Sequence, residues 1–229
     1  MAGAPHPPII CTVDVVLLTL ADGALQVLLA RRDREPFNGV LALPGGYIHR
    51  EDDQSARDAA VRVLADKAGV ASPYLEQLET FSGPARDPRG WSLSVAYYAL
   101  VPLTALPTPH AGVGLKPVDR LPSLPFDHRQ IVDAAVQRVR AKSQYSSLPV
   151  HLCDERFTLP QLQAVYEAVL GESINKVSFR RKVDSLAMLE AIEGELEHGR
   201  ANRPAQLYRL RREFRHALSM VDRGLNPRD

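Results

Sequence analysis

The chain has 229 residues, 45% hydrophobic and 24% charged, with a formal net charge of +1. That length allows one large domain or two small ones, each with a real core. The near-neutral balance excludes an overall field for nucleic acid or membrane, so any such partner must be met by a local patch. Cys11 and Cys153 lie far apart in apolar company, with neither zinc-ligand spacing nor a disulfide framework, and read as reduced, buried thiols of a cytoplasmic protein. The opening MAGAPHPPII has no basic n-region, and the apolar stretch after it is short and broken by Asp14, so neither a signal peptide nor a membrane span is expected.

Ile9 to Thr19 is rich in Val, Ile, Leu and Thr and reads as a strand, Asp22-Gly23 as a turn, and Leu25 to Ala30 as the second strand of a hairpin. Leu41 to Pro44 is a short apolar segment ending at the pair Gly45-Gly46. A helix is predicted over Gln54 to Ala68, with Ala56, Ala59, Ala60, Val63, Leu64 and Ala68 as its apolar stripe and Gly69 as its stop. FSGPARDPRGW reads as a loop, Ser92 to Val101 as a strand, and Asp127 to Lys142 as a helix capped by Asp127. Strands interleaved with helices indicate an α/β or α+β domain over residues 1–145.

YSSLPV, Tyr145 to Val150, reads as a linker or a crossing strand; the linker is drawn over 146–152 and the second domain over 153–229. Thr158, Pro160 and Gln161 open a short helix with a capping box, and Gly171 stops it. Asn175 caps a second helix in which Phe179, Val183 and Leu186 share a face while Ser178, Arg180 and Arg181 point away. Apolar segments at Met188–Ile192 and Gln206–Leu210 flank the polar stretch EGELEHGRANRP. Helix, turn, helix and a long-looped hairpin form a winged helix-turn-helix pattern.

The two halves are nearly balanced, with 15 Lys/Arg against 15 Asp/Glu up to residue 145 and 13 against 12 after it. The second half nevertheless clusters its cations. Lys176, Arg180, Arg181 and Lys182 sit together on the second helix, and Arg200, Arg203, Arg209, Arg211, Arg212 and Arg215 follow. Such clusters can be solvated helix faces; in helix-turn-helix order they suit phosphate contacts.

The stretch from Gly45 to Val70, a glycine, a helix with acidic residues and a closing Gly-Val, resembles the Nudix box, G-x5-E-x7-R-E-U-x-E-E-x-G-U, with U a bulky aliphatic residue. In that family glutamates hold magnesium for cleavage of nucleoside diphosphates. Counting back from Gly69-Val70 puts Arg62 on the pattern's arginine and Val63, Asp66 and Lys67 on its helix glutamates. Counting forward from Gly46 puts Asp52 on the loop glutamate, with two residues more than the pattern between the anchors. Lys67 repels a cation and removes a ligand, so hydrolysis at the family's usual rate is not expected. Lys67 can instead contact a diphosphate directly, or it can form an ion pair with Asp66, Asp52 or Glu51.

The whole chain resembles the NrtR family of Nudix-related transcriptional regulators, through CTVDVVLLTL, LQVLLARR, PFNGVLALPGGYI, LEQLETF and DPRGWSLSVAYYALVP, then FTLPQLQAVYEAVLG, SFRRK and RPAQLYRL. The resemblance implies a Nudix-like sandwich with a mixed sheet, followed by a winged helix-turn-helix. It implies a homodimeric regulator of NAD-synthesis or pentose-use genes, sensing ADP-ribose or a related nucleotide and binding a double-stranded DNA operator. No cofactor is then required; magnesium and residual pyrophosphatase activity belong to the alternative reading as a hydrolase with an altered metal site. Carried onto this chain, Lys176, Ser178, Arg180, Arg181 and Lys182 lie on the recognition helix, and Arg200 and Arg203 in the wing touch backbone or minor groove, or serve solubility. For the ligand, Gly45, Gly46 and Lys67 are joined by Phe37, as an adenine platform or core residue, and by Arg86 and Arg89 for the diphosphate or terminal ribose. Trp91 lines the pocket or packs. His49 touches ligand or stands at the surface.

Overall fold

A computed structural model describes residues 8–72, 74–107, 112–197 and 204–220. The first half is built on strand β1 (Ile10–Ala21), which pairs in parallel with β6 (Ser92–Leu100), Ile10 against Ser92 through Leu18 against Leu100. Its other edge is shared. The far end of β1 pairs antiparallel with β2 (Ala24–Arg31) across the Asp22-Gly23 turn, while its first half pairs with β4 (Gly45–Tyr47). Strand β3 (Leu41–Ala42) and β7 (Val113–Pro117) join β2, and β5 (Leu75–Gly83) joins β6, giving a mixed seven-stranded sheet.

Period-two alternation sends opposite faces of this sheet to two helices. Val13, Val15 and Leu17 with Tyr97 and Ala99 meet Ala59, Ala60, Val63 and Leu64 of α1 (Ala56–Ala68). Val16 and Leu18 with Ala96, Tyr98 and Leu100 meet Ile131, Val132, Ala135 and Val139 of α2 (His128–Ser143). Ser55 caps α1 by accepting from Asp58 N, and Gly69 ends it in the left-handed region at φ 64°.

The second half holds β8 (Phe157–Thr158), α3 (Leu159–Leu170), α4 (Lys176–Leu186), and the wing strands β9 (Leu189–Glu197) and β10 (Ala205–Leu210). Both halves of the Thr158/Gln161 capping box are made, and Asn175 accepts from Val177 N and Ser178 N at 2.9 and 3.2 Å. Leu162, Tyr166, Phe179, Val183 and Leu186 form the second core. Among the described residues no helix is long and apolar enough to cross a membrane.

Several expectations are corrected. Strands β5 and β7 replace unassigned chain. A register irregularity between Gln77 and Thr80 breaks the alternation of β5, so its last three residues passed for the start of a loop. Within the 146–152 segment, read as a linker or a crossing strand, Leu148–Leu152 is a buried 3-10 turn, and Leu148 and Leu152 share a core cluster with the first-half sheet and with Val169 of α3. Asp127 stands at the N-cap of α2 without capping it, because its carboxylate is held elsewhere. The segment EGELEHGRANRP is strand as far as Glu197. Cys11 is exposed and Cys153 half-buried, so neither is a fully buried thiol.

Candidate nucleotide pocket and nucleic-acid face

The close approach of β4 to β1 dictates the glycine pair. A Cβ on Gly45 would run into Asp14 Oδ1 and stand 3.0 Å from the Val13 carbonyl, and one on Gly46 would stand 3.3 Å from Val63 Cγ2. These strands floor a pocket of about 390 Å³ whose wall includes seven cations (Arg31, Arg32, Arg34, Arg62, Lys67, Arg86, Arg89) and four acids (Asp14, Asp33, Asp66, Asp87).

Asp14 is the buried centre of the floor. Ser94 Oγ donates to its Oδ2 at 2.7 Å, and His128 Nε2 stands 3.4 Å from Oδ1. The backbone N–H of Leu43 donates to His128 Nδ1 at 3.1 Å, which puts the ring proton on Nε2, facing Asp14. Burial works to raise the Asp14 carboxyl, but His128, Ser94 and Arg86 together hold it below the ordinary range. Arg86 is itself buried. It forks onto Asp127 at 2.9 and 2.8 Å and stands 3.6 Å from Asp14. Its role is thus to bind the β5–β6 loop to the start of α2, at the back of the pocket.

Arg89 is held by Asp87, with its Nε and one terminal nitrogen at 3.0 and 2.6 Å from the two carboxylate oxygens. Its other terminal nitrogen donates to Tyr47 Oη at 2.6 Å. On the opposite wall Arg32 stands 4.9 Å from the centre of the Phe126 ring. Burial, and then the like charges of Arg89 and Arg34, pull Arg32 below the ordinary arginine value. Among the described residues neither Arg31 nor Arg32 has a carboxylate within ion-pair distance; they donate to the Gly39 and Pro36 carbonyls. A pocket of crowded guanidiniums edged by Phe126 and Tyr47 suits an anionic ligand with a flat ring.

The Nudix-box positions separate. Asp52 is exposed, 3.6 Å from His49 Nδ1, and the acid that Arg62 holds is its neighbour Asp53. Arg62 forks onto Asp53 at 2.9 and 2.6 Å and also donates to the Tyr47 carbonyl, while His49 N donates to Asp53 Oδ2 at 2.7 Å. The hydrogen bonds from Arg62 hold the Asp53 carboxyl at about 2. Val63 is 2% exposed and belongs to the α1 core. Asp66 and Lys67 line the pocket, and Lys67 Nζ pairs at 3.6 Å with Asp33, a partner on the loop after β2 that local spacing did not suggest.

Phe37 and Trp91 are not part of the wall. Phe37 packs edge-on against Phe126, with centroids 4.9 Å apart, so the ring that reaches the pocket is Phe126. Trp91 is 46% exposed. His49 does line the pocket. Asp14, Tyr47, Asp53, Phe126 and His128 were missed; they are single residues on separate elements, and only the doublet Asp52-Asp53 offered a local signal.

On α4, Lys176, Ser178, Arg180 and Arg181 are exposed. Lys182 is not on that face. Its Nζ donates to the Ser143 carbonyl at the end of α2 and stands 4.9 Å from the centre of the Tyr166 ring. Placed next to Phe179 and Val183 on the wheel, it is drawn to the nearest orphan helix-end carbonyl. Arg200 and Arg203 lie outside the described residues. Of the remaining cations, Arg209 is paired with Glu190 at 2.7 Å, and Arg211 donates to the Leu189 carbonyl.

The NUDIX domain family matches residues 11–134, and the NrtR DNA-binding winged helix domain matches residues 149–210. The chain is 38% identical over 211 residues to the ADPR responsive transcriptional repressor NtrR of Acinetobacter baylyi, covering 90% of this chain and 83% of that protein. It superposes on Shewanella oneidensis NrtR complexed with a 27mer DNA with a TM-score of 0.82 and 40% identity, covering 88% and 93% of the two chains. The NUDIX domain of that Shewanella protein complexed with ADP ribose matches at 39% identity and a TM-score of 0.53, covering 60% of this chain and 94% of that one. With a Nudix domain and an NrtR winged helix in this order and this identity over nine-tenths of its length, the chain belongs to the NrtR family of Nudix-related transcriptional regulators.

Proposed function

We propose that this chain is an ADP-ribose-responsive transcriptional repressor. Its first half binds ADP-ribose or a related nucleoside diphosphate. Its winged helix binds a double-stranded operator beside genes of NAD synthesis or sugar use, and the working unit is a homodimer on a near-palindrome. The observation that carries this reading is the joining of two charged sites by one helix. The start of α2, at Asp127 and His128, meets the cation-crowded pocket; its end, at Ser143, is gripped by Lys182 of the basic helix α4.

A divalent cation does not fit the residues present. The two oxygens of Asp53 are taken by Arg62 and His49 N, Val63 has no donor, and Lys67 is a cation beside Asp66. Among the described residues no three His, Cys, Asp or Glu side chains come together as a metal site. We therefore read the pocket as one that binds a diphosphate through guanidinium and ammonium groups without cleaving it. Ligand favours an arrangement in which the paired recognition helices no longer match the operator, by no more than its difference in affinity for the two states.

The test is fluorescence anisotropy of the full chain on promoter fragments beside NAD-related or sugar-use genes, with and without ADP-ribose. The expected outcome is binding that steepens at low salt and is released by ADP-ribose. Indifference to every fragment would defeat the reading. Release of AMP from ADP-ribose with magnesium would restore the hydrolase reading.

A further inference from the structure

The exposed face of α4 carries one apolar residue that nothing among the described residues covers: Val177, 58% exposed. Phe179, Val183 and Leu186 are buried against the second core, and at 3.6 residues per turn the side of the helix opposite them is the line through Val177 and Arg181. Val177 is therefore the foremost side chain in the first turn of the helix, not a residue at the margin of the core. Its backbone is fixed, since Asn175 Oδ1 accepts its N–H at 2.9 Å. Asp184 follows on the same line near the other end of the helix and would repel phosphates there, so only the N-terminal two turns suit entry into a groove.

We propose that Val177 determines specificity by packing against a thymine methyl group in the major groove. The inference rests on the DNA-binding reading above and deepens it. In the major groove of B-DNA the one apolar feature on a base edge is the C5-methyl of thymine. A β-branched side chain with few rotamers, at the front of the helix and one turn before Arg181, presents a stiff apolar surface to it. Arg181 and its neighbours supply affinity through phosphates and polar base edges; Val177 supplies discrimination at one base pair per half-site.

The experiment first selects operators from a randomised duplex pool with the full-length chain. Each thymine of the selected half-site is then replaced by deoxyuracil, which removes only the methyl, and affinities are measured for the unaltered chain, Val177→Ala and Arg181→Ala at one salt concentration. Alanine is a better helix former than valine at an exposed site, so the variant folds. The expected result is one thymine whose replacement weakens binding about fourfold, the worth of burying one methyl group. That penalty disappears in Val177→Ala and persists in Arg181→Ala. Equal penalties in Val177→Ala and the unaltered chain, or no sensitive thymine at all, overturn the assignment to Val177 while leaving the regulator intact. A pool that enriches no sequence defeats the DNA-binding reading and the assignment with it.

Discussion

His151 makes the stability of this chain depend on pH between about 4 and 6.5. It lies in the buried 3-10 turn between the two halves, is 6% exposed, and stacks on Tyr74 with centroids 4.8 Å apart. Its Nε2 has no hydrogen-bond partner among the described residues. Burial, with a smaller push from the nearby charge of His216, lowers its value from 6.5 to about 4. The unfolded chain takes up a proton below 6.5 and the folded chain does not until about 4. The contribution of the neutral ring is thus complete above 6.5 and is lost as pH falls to 4. At about 1.4 kcal/mol for each pH unit separating the two values, the loss is about 3 kcal/mol, a large share of a stability of about 5–15 kcal/mol. His151→Phe keeps a ring for Tyr74 and removes the titration. Urea unfolding followed by circular dichroism at pH 7, 6, 5 and 4 is expected to show the variant gaining on the parent by about 3 kcal/mol as pH falls. Parallel stability profiles across that range would refute the argument.

Three further outcomes follow from the site. Gly45→Ala is expected to cost about 1–3 kcal/mol in urea unfolding and to weaken ADP-ribose binding by calorimetry, because Asp14, held by Ser94 and His128, cannot yield to the new methyl. Arg86→Met is expected to cost about 3–5 kcal/mol, since it leaves Asp14 and Asp127 without their cation; the same melts are expected to show a smaller loss when Asp127→Leu is added. Arg181→Ala is expected to weaken operator and unrelated DNA alike and to reduce the slope of log affinity against log salt by about one.

What could be read from the sequence was what is local. The hairpin across Asp22-Gly23, the stripe of α1 with its Gly69 stop, the Thr158/Gln161 box and the Asn175 cap each fit within a few residues, and each is present in the fold. Strand β5 was hidden because its irregular pairing erases the alternation on which a reading depends. The pocket was half legible. Gly45, Gly46, Arg62, Asp66 and Lys67 travel in one motif. The partners that decide their roles do not: Asp33 for Lys67, Asp127 for Arg86, and Asp14 with His128 across more than a hundred residues. Arg86 shows the limit well, since the ligand contact that the family resemblance implies for it and its place as a buried tie both call for an arginine in that loop. Val177 was not singled out, because the readings of its helix followed the charged residues and the Phe179, Val183 and Leu186 face.

The misplacement of Lys182 bears most on how the two halves are joined. Counted with Arg180 and Arg181 it would add one more phosphate contact. Donating to the Ser143 carbonyl, it instead fastens α4 to the end of a helix whose 16 residues span about 24 Å. The attachment is broad: Tyr166 Oη donates to the Ser146 carbonyl at 2.8 Å, and Arg140 Nε to the Val169 carbonyl at 3.2 Å. At the other end of α2, Asp127 is forked to Arg86, and the next residue, His128, forms part of the pocket wall. Coupling of about 1–3 kcal/mol between two sites already changes affinity by about 5- to 150-fold. That is the scale of one or two charge-assisted hydrogen bonds made in one state and lost in the other. Helix α2 is thus one rod packed between the sheet and the winged helix, with the pocket at its start and α4 held at its end.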